Sequence, residues 1–256
     1  MQLVLVQPTL AHTPDAPNTE AIERLLAPRA ADFGADTVVL LPERFHLGSS
    51  PDAYARDLER LARQLGAIVV GGSHYETRGA ERINTGLVVD GEGRVLGRYD
   101  KLRPYSAEQR WVSPGEHLGE LVLGGRRALV LVCADFWFSD LYARAESFPE
   151  LVLAPALSVT RKPTPDYSRA LWRHLAIARA YEFGAFVGVS DWSHASLVPL
   201  PASGVGGFAD PTVTDPARFF TPIGEGGVLS VELDFDALER FREDRRERGF
   251  FGKPGA

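Results

Sequence analysis

Apolar and polar positions change period several times along this chain, and the changes divide it into elements. The runs at 3–8 (LVLVQP) and 37–43 (TVVLLPE) are short, nearly all apolar and closed by a proline, as expected of strands buried on both faces. Between them, 18–33 (NTEAIERLLAPRAADF) has helical periodicity. Asn18 is a plausible N-cap, and Pro28 should kink or divide the helix. A second helix is expected over 51–66, opening on Pro-Asp and stopping at Gly66, followed by a strand over 67–75.

The texture then changes. Residues 83–101 read as a hairpin joined at DGEG, and 120–133 as a second hairpin joined at GG. Helix–strand alternation returns with DLYARAESF, ELVLAP, a long helix at 166–184 and AFVGVSD. Residues 226–234 then read as a strand, and 235–248 as a charged helix. Residues 196–216, rich in Pro and Gly, read as a long ordered loop with one short strand. Parallel-type βα units at both ends with hairpins between them predict an α/β fold, with a mixed sheet or two packed sheets and helices outside. No repeat or linker interrupts 1–256, so a single domain is expected.

Composition narrows the function classes. The chain has 256 residues, 45% of them hydrophobic, enough for a large core. A net charge of −6 argues against a general nucleic-acid binder. No apolar stretch is long enough to span a bilayer. MQLVLVQP has no basic leader segment, and a single cysteine allows no intrachain disulfide, so a reducing cytoplasm is the expected compartment. Only three of the 28 basic residues are lysine (Lys101, Lys162, Lys253), so generic positive charge is written here as arginine.

Three residues then stand out. Cys133, the sole cysteine, ends the run ALVLVC. A nucleophile is often displayed where a buried strand stops, yet a lone free cysteine reads more readily as apolar filler. Glu43 follows TVVLLP, at the C-terminal end of a strand where α/β sheets bind ligands. Lys101 ends RVLGRYDK, and lysine in an arginine-rich chain suggests a site needing a compact point charge. The three types are complementary: a carboxylate to take the thiol proton, a thiol to attack, an ammonium to hold an oxyanion. None of His12, His46, His74, His117, His174 or His194 sits in a cysteine-protease signature. There is no H-E-x-x-H, C-x-x-C, Walker or G-x-G-x-x-G pattern to support a metal or nucleotide site.

LLPE at Glu43, YDKLRPY at Lys101 and LVCAD at Cys133 resemble, in order and approximate spacing, the Glu-Lys-Cys triad of the nitrilase superfamily of carbon–nitrogen hydrolases. MQLVLVQP, SAEQRWVSPGEH, LAIARAYEFGAFVGVSD and GEGGVLSVELDFDALERFRED are similar to further family segments, so the likeness covers nearly the whole chain. The resemblance implies a four-layer α-β-β-α sandwich of two mixed sheets with outer helices, and a homodimer or larger homo-oligomer. It also implies hydrolysis of a small primary amide or N-carbamoyl compound through a cysteine thioester, without cofactor or metal. Glu43, Lys101 and Cys133 would be catalytic, Glu108 a supporting glutamate, and the Ala134 N–H part of the oxyanion site. The aromatic residues Phe136, Trp137, Phe138 and Trp192 are candidates for the substrate pocket or, alternatively, for the core. CADFWFSD departs from the family's CYDxRFPE-like stretch, and PLPASGVGGFADPTVT from its G-x-S…DP-x-G segment, so the substrate does not carry over. A nitrile-hydrolysing or acyl-transferring enzyme with the same triad, or a non-catalytic metabolite-binding member, are the alternatives.

Overall fold

Alternate residues of the first strand enter two different cores. Leu3 and Leu5 of β1 (Gln2–Val6) pack between two sheets, whereas Val4 and Val6 pack under helices. The same division runs through β2 (Thr37–Leu40) and β3 (Ile68–Val70). Side chains on a strand alternate between faces, so an all-apolar run is required wherever both faces are covered. This is why these strands read as continuous apolar runs.

The structure, a computed structural model, describes residues 1–251 apart from Ser49, Leu197 and Leu200. Lys253 therefore lies outside the described residues. The first sheet adds β4 (His74–Arg78), β5 (Glu81–Val89), β6 (Val95–Asp100) and β13 (Val228–Glu232) to β1–β3. Its order is β13-β1-β2-β3-β5, and β5 carries β3 and β4 along one edge and β6 along the other. The second sheet has the order β12-β11-β10-β9-β8-β7. It comprises β7 (Gly119–Leu123), β8 (Arg126–Val130), β9 (Leu151–Pro155), β10 (Phe186–Ser190), β11 (Gly207–Ala209) and β12 (Phe220–Pro222). Both sheets are mixed: β1–β2–β3 and β8–β9–β10 are parallel, and the flanking pairs are antiparallel.

Helices α1 (Asn18–Leu26) and α2 (Pro51–Leu65) cover the first sheet through Ile22, Leu26, Leu58 and Leu61. The second sheet is covered by α3 (Ser139–Arg144) and α4 (Asp166–Phe183), through Leu141, Trp172, Ala176 and Phe183. The four-layer α-β-β-α architecture is thus present. The C-terminal helix α5 (Phe235–Glu247) sends Phe235 and Leu238 into the core between the sheets. Among the described residues no helix is long and apolar enough to cross a membrane.

Local expectations meet two corrections. Asn18 does not cap α1; Pro17 holds that position. The Asn18 side chain instead bonds Ala11 N and O and the Phe45 carbonyl at 2.9–3.0 Å, tying the loop after β1 to the chain just past Glu43. The single strand expected over 67–75 is split into β3 and β4 at Gly71-Gly72-Ser73. Gly72 has φ 58°, and a Cβ there would lie 2.1 Å from the Pro42 carbonyl oxygen. Only glycine allows that close passage, one residue before Glu43. Pro28 divides the first helical segment as expected, with α1 passing into a 3-10 turn over Ala27–Asp32. Strand β11 lies within the 196–216 segment, which also contains Leu197 and Leu200 outside the described residues.

Beside the site, an ion pair between the buried Asp100 and the half-buried Arg78 pins the end of β6. Asp100 accepts from Arg78 Nη1 and Nη2 at 2.8 and 2.9 Å, and pairs with His117 Nδ1 at 2.8 Å. Burial alone would raise the Asp100 carboxyl, but Arg78 and His117 outweigh it and hold it well below the usual carboxylate range. The unfolded chain then takes up this proton first as pH falls. The pair's stabilisation is full above the ordinary carboxylate value of about 4 and drains away below it. Arg78→Ala is expected to cost about 3 kcal/mol in urea unfolding at neutral pH. It should also flatten the loss of stability between about pH 5 and pH 3. Equal acid slopes in the two proteins would contradict this.

Candidate active site

Three strand ends deliver the candidate residues to one place. Strand β6 is antiparallel to β5, which is antiparallel to β3, so β6 runs in the same direction as β2. Their C-termini share one edge of the first sheet, which brings Glu43 and Lys101 together. Cys133 arrives from the second sheet, three residues beyond β8, at the start of a 3-10 turn over Cys133–Trp137. Its φ is 49°, a left-handed backbone that costs a non-glycine residue about 1 kcal/mol or more. Such a turn projects the side chain out of the strand.

Lys101 Nζ donates to Glu43 Oε1 and to Glu108 Oε2, both at 2.7 Å. The side chains of Lys101 and Glu43 are each only 3% exposed. Burial by itself would lower the Lys101 ammonium, but the Glu43 and Glu108 carboxylates win and hold it well above the usual lysine range. For Glu108 burial pushes upward, and Lys101 holds it below the ordinary glutamate value. Lysine is therefore charged here at any working pH. Burial pushes the Cys133 thiol well up, the negative charge of Glu43 pushes the same way, and Lys101 opposes both. The resting thiol keeps its proton at neutral pH and needs a base before it can attack.

A supporting shell fixes these groups. Asn84 Nδ2 bridges the two carboxylates, donating to Glu43 Oε1 at 2.9 Å and Glu108 Oε1 at 3.0 Å. Tyr75 OH donates to Glu108 Oε1 at 3.1 Å, and Leu157 N–H to Glu43 Oε2 at 3.0 Å. Asp135, two residues past Cys133, accepts from Leu102 N–H and Arg103 N–H at 2.8 Å each. It thereby clamps the Lys101 loop to the Cys133 turn. Burial raises the Asp135 carboxyl to about 7, with the two N–H donors opposing the rise. Asp191 braces the opposite wall in the same manner, accepting from Ser158 N–H and Val205 N–H at 2.9 Å.

Glu43, Lys101, Glu108, Cys133 and Ala134 all line one cavity of about 670 Å³. Its aromatic walls include Tyr75, Trp111, Trp137, Phe138, Tyr167 and Trp172. Of the four aromatics singled out by sequence, Trp137 and Phe138 are on the wall. Phe136 is fully buried behind it, stacked on Trp172 with ring centroids 5.5 Å apart. Trp192 is also fully buried, and its indole N–H donates to the Glu43 carbonyl at 2.7 Å. Both support the site from the core and do not line it. None of the six histidines lines the cavity, so a Cys–His pair has no geometric basis.

Asn84, Tyr75, Asp135 and Arg44, the last also on the cavity wall, escaped the sequence reading. One signal was available: Asn84 is a polar residue inside the apolar strand run INTGLVV, where a buried amide needs a partner.

Comparison with known proteins gives the family of the chain. The carbon–nitrogen hydrolase family matches over residues 5–197. The chain is 25% identical over 190 residues to the 2-oxoglutaramate amidase of Bacillus subtilis, covering 73% of this chain and 69% of that one. It superposes on an amidase from Nesterenkonia sp. with a TM-score of 0.74 and 28% identity, covering 97% and 96% of the two chains. It also shares its fold with the CN-hydrolase superfamily protein XC1258 of Xanthomonas campestris (TM-score 0.79, 21% identity, 100% and 98% covered). This chain belongs to the carbon–nitrogen hydrolase family, within the nitrilase superfamily.

Proposed function

We propose that the protein hydrolyses a small primary amide or N-carbamoyl compound through a thioester on Cys133, releasing ammonia. The observation that carries this reading is the buried Lys101 ammonium held 2.7 Å from both Glu43 and Glu108, in the cavity that Cys133 also lines. In the first half-reaction Glu43 takes the thiol proton and the thiolate adds to the carbonyl carbon. The oxyanion is held by Lys101 and the backbone N–H of Ala134. Collapse breaks the C–N bond, and Glu43 gives its proton to the departing nitrogen, which leaves as ammonia. In the second half-reaction Glu43 takes a proton from water, and the hydroxide adds to the thioester. Collapse of that intermediate releases the acid and returns a proton to the thiolate. Glu108 orients Lys101 throughout. The scheme uses only the chain's own groups and water.

The relatives favour an amide over a nitrile. Two of them are named amidases, and a glutamate-to-glutamine mutant of the Nesterenkonia enzyme carries acrylamide joined to its active-site cysteine by Michael addition. The test is ammonia release across a panel of primary amides, N-carbamoyl amino acids and nitriles. Turnover of at least one amide or carbamoyl compound, with the acid as co-product, is the expected result. Turnover confined to nitriles, or none across the panel, would contradict the proposal.

A further inference from the structure

The residue after Glu43 is held in an unusual state. Arg44 has φ 54°, a left-handed conformation that a non-glycine residue adopts only when its surroundings enforce it. Its backbone N–H donates to Ser73 Oγ at 3.1 Å, and the residue lines the same cavity as Cys133 and Lys101. Two neighbours fix that guanidinium. Nη2 lies 2.7 Å from His12 Nε2, and the charged carbon sits 4.4 Å from the centre of the Tyr75 ring. Burial, reinforced by Arg44 itself, holds His12 below its ordinary range, so it meets the guanidinium as a neutral acceptor. Neither neighbour carries a negative charge. Among the described residues no carboxylate lies within ion-pair distance of Arg44, and its Nε is buried without a hydrogen-bond partner. A positioned cation with no counter-charge, facing a cavity, is a costly arrangement unless an anion arrives.

The rest of the wall has the same bias. Among the described residues its only carboxylates, Glu43 and Glu108, are both occupied by Lys101. The other charged residues described on the wall are Arg44 and, exposed on the 159–165 segment, Arg161 and Lys162. This positive surplus sits in a chain whose net charge is −6. A cleft of one sign attracts ligands of the other.

We infer that the substrate is a primary amide whose far end is a carboxylate, and that Arg44 holds that end. The inference rests on the amidase reading above and narrows it. The planar guanidinium fork suits a carboxylate, and His12 and Tyr75 keep it oriented without consuming its charge. One inner guanidinium matches one negative charge. Arg44 thus sets which amide is presented to Cys133, while the chemistry stays with the triad.

The test compares glutaric acid monoamide with its neutral methyl-ketone isostere of the same length, on wild type, Arg44→Gln and Arg44→Lys. Wild type is expected to favour the carboxylate amide in kcat/KM by about 10- to 100-fold, the range of a charge-assisted hydrogen bond. In Arg44→Gln that preference should fall by a similar factor, and in Arg44→Lys by less. No preference in wild type, or the same preference in both variants, would overturn the assignment. Arg44→Lys keeps the charge and decides the matter if Arg44→Gln does not fold, as checked by thermal unfolding. If neither amide is turned over, the wider amide panel decides the amidase reading, and glutarate binding by titration calorimetry decides the anion site separately. Binding to wild type that weakens at least tenfold in the variants keeps Arg44 as the carboxylate holder. Absent or equal binding removes it.

Discussion

Cys133→Ala is expected to lower amide turnover by about 10⁴-fold or more while leaving the fold intact, since loss of a covalent nucleophile removes the whole two-step route. The thiol is a small group at a cavity wall, held by a long contact, 4.0 Å to the Leu157 carbonyl, and by its interaction with Glu43. Alanine has the same Cβ and meets the same left-handed backbone, so the strain is unchanged. The cost in stability should stay within about 1 kcal/mol, measured by urea unfolding. The chain offers a chemical version of the same experiment, because Cys133 is its only cysteine. Iodoacetamide can alkylate no other thiol, and one equivalent of label should remove one equivalent of activity. Residual turnover above a hundredth in either experiment would mean that Cys133 is not the nucleophile.

Lys101→Arg keeps the charge and should still lower kcat/KM by about 10³-fold, the range seen when a preorganised oxyanion donor is lost. The ammonium sits 2.7 Å from two different carboxylates, with a side chain 3% exposed. A planar guanidinium is wider and directs its donors in a fixed fork, so it cannot satisfy Glu43 and Glu108 and also face a substrate oxygen. Removing the charge is a less informative change. Lys101→Met would leave two buried carboxylates without their cation, costing about 3–5 kcal/mol, and lost activity would be confounded with lost fold. Steady-state kinetics together with unfolding of Lys101→Arg separates the two. Activity above a tenth of wild type in a folded variant would remove Lys101 from the oxyanion site.

How far sequence could reach is clearest at particular residues. Strands β1, β2 and β9 were legible because both faces are buried, leaving runs of four or five apolar residues with no competing period. Lys101 stood out through letter choice, and Glu43 and Cys133 through the positions where such runs break. The bracing around them was hidden for a physical reason. Asn84 reaches Glu43 across 41 positions, and Asp135 reaches Leu102 and Arg103 across more than 30. Such bonds depend on which strand ends meet, and no local pattern reports that. Phe136 and Trp192 show the same limit, because aromatic character does not separate a cavity wall from the core behind it. Arg44 was silent in an arginine-rich chain. Its meaning comes from its neutral neighbours and its backbone, neither visible in sequence. Asn18 misled because a good capping residue was used to join two loops instead.

The central claim is that Cys133 carries the acyl group during turnover. Intact-mass spectrometry of enzyme acid-quenched while hydrolysing an amide tests it directly. The account predicts a fraction of protein heavier by the acyl group, with that increment on the peptide containing Cys133 and absent from Cys133→Ala. Steady turnover in which the increment never forms on Cys133, or forms on another residue, would contradict it.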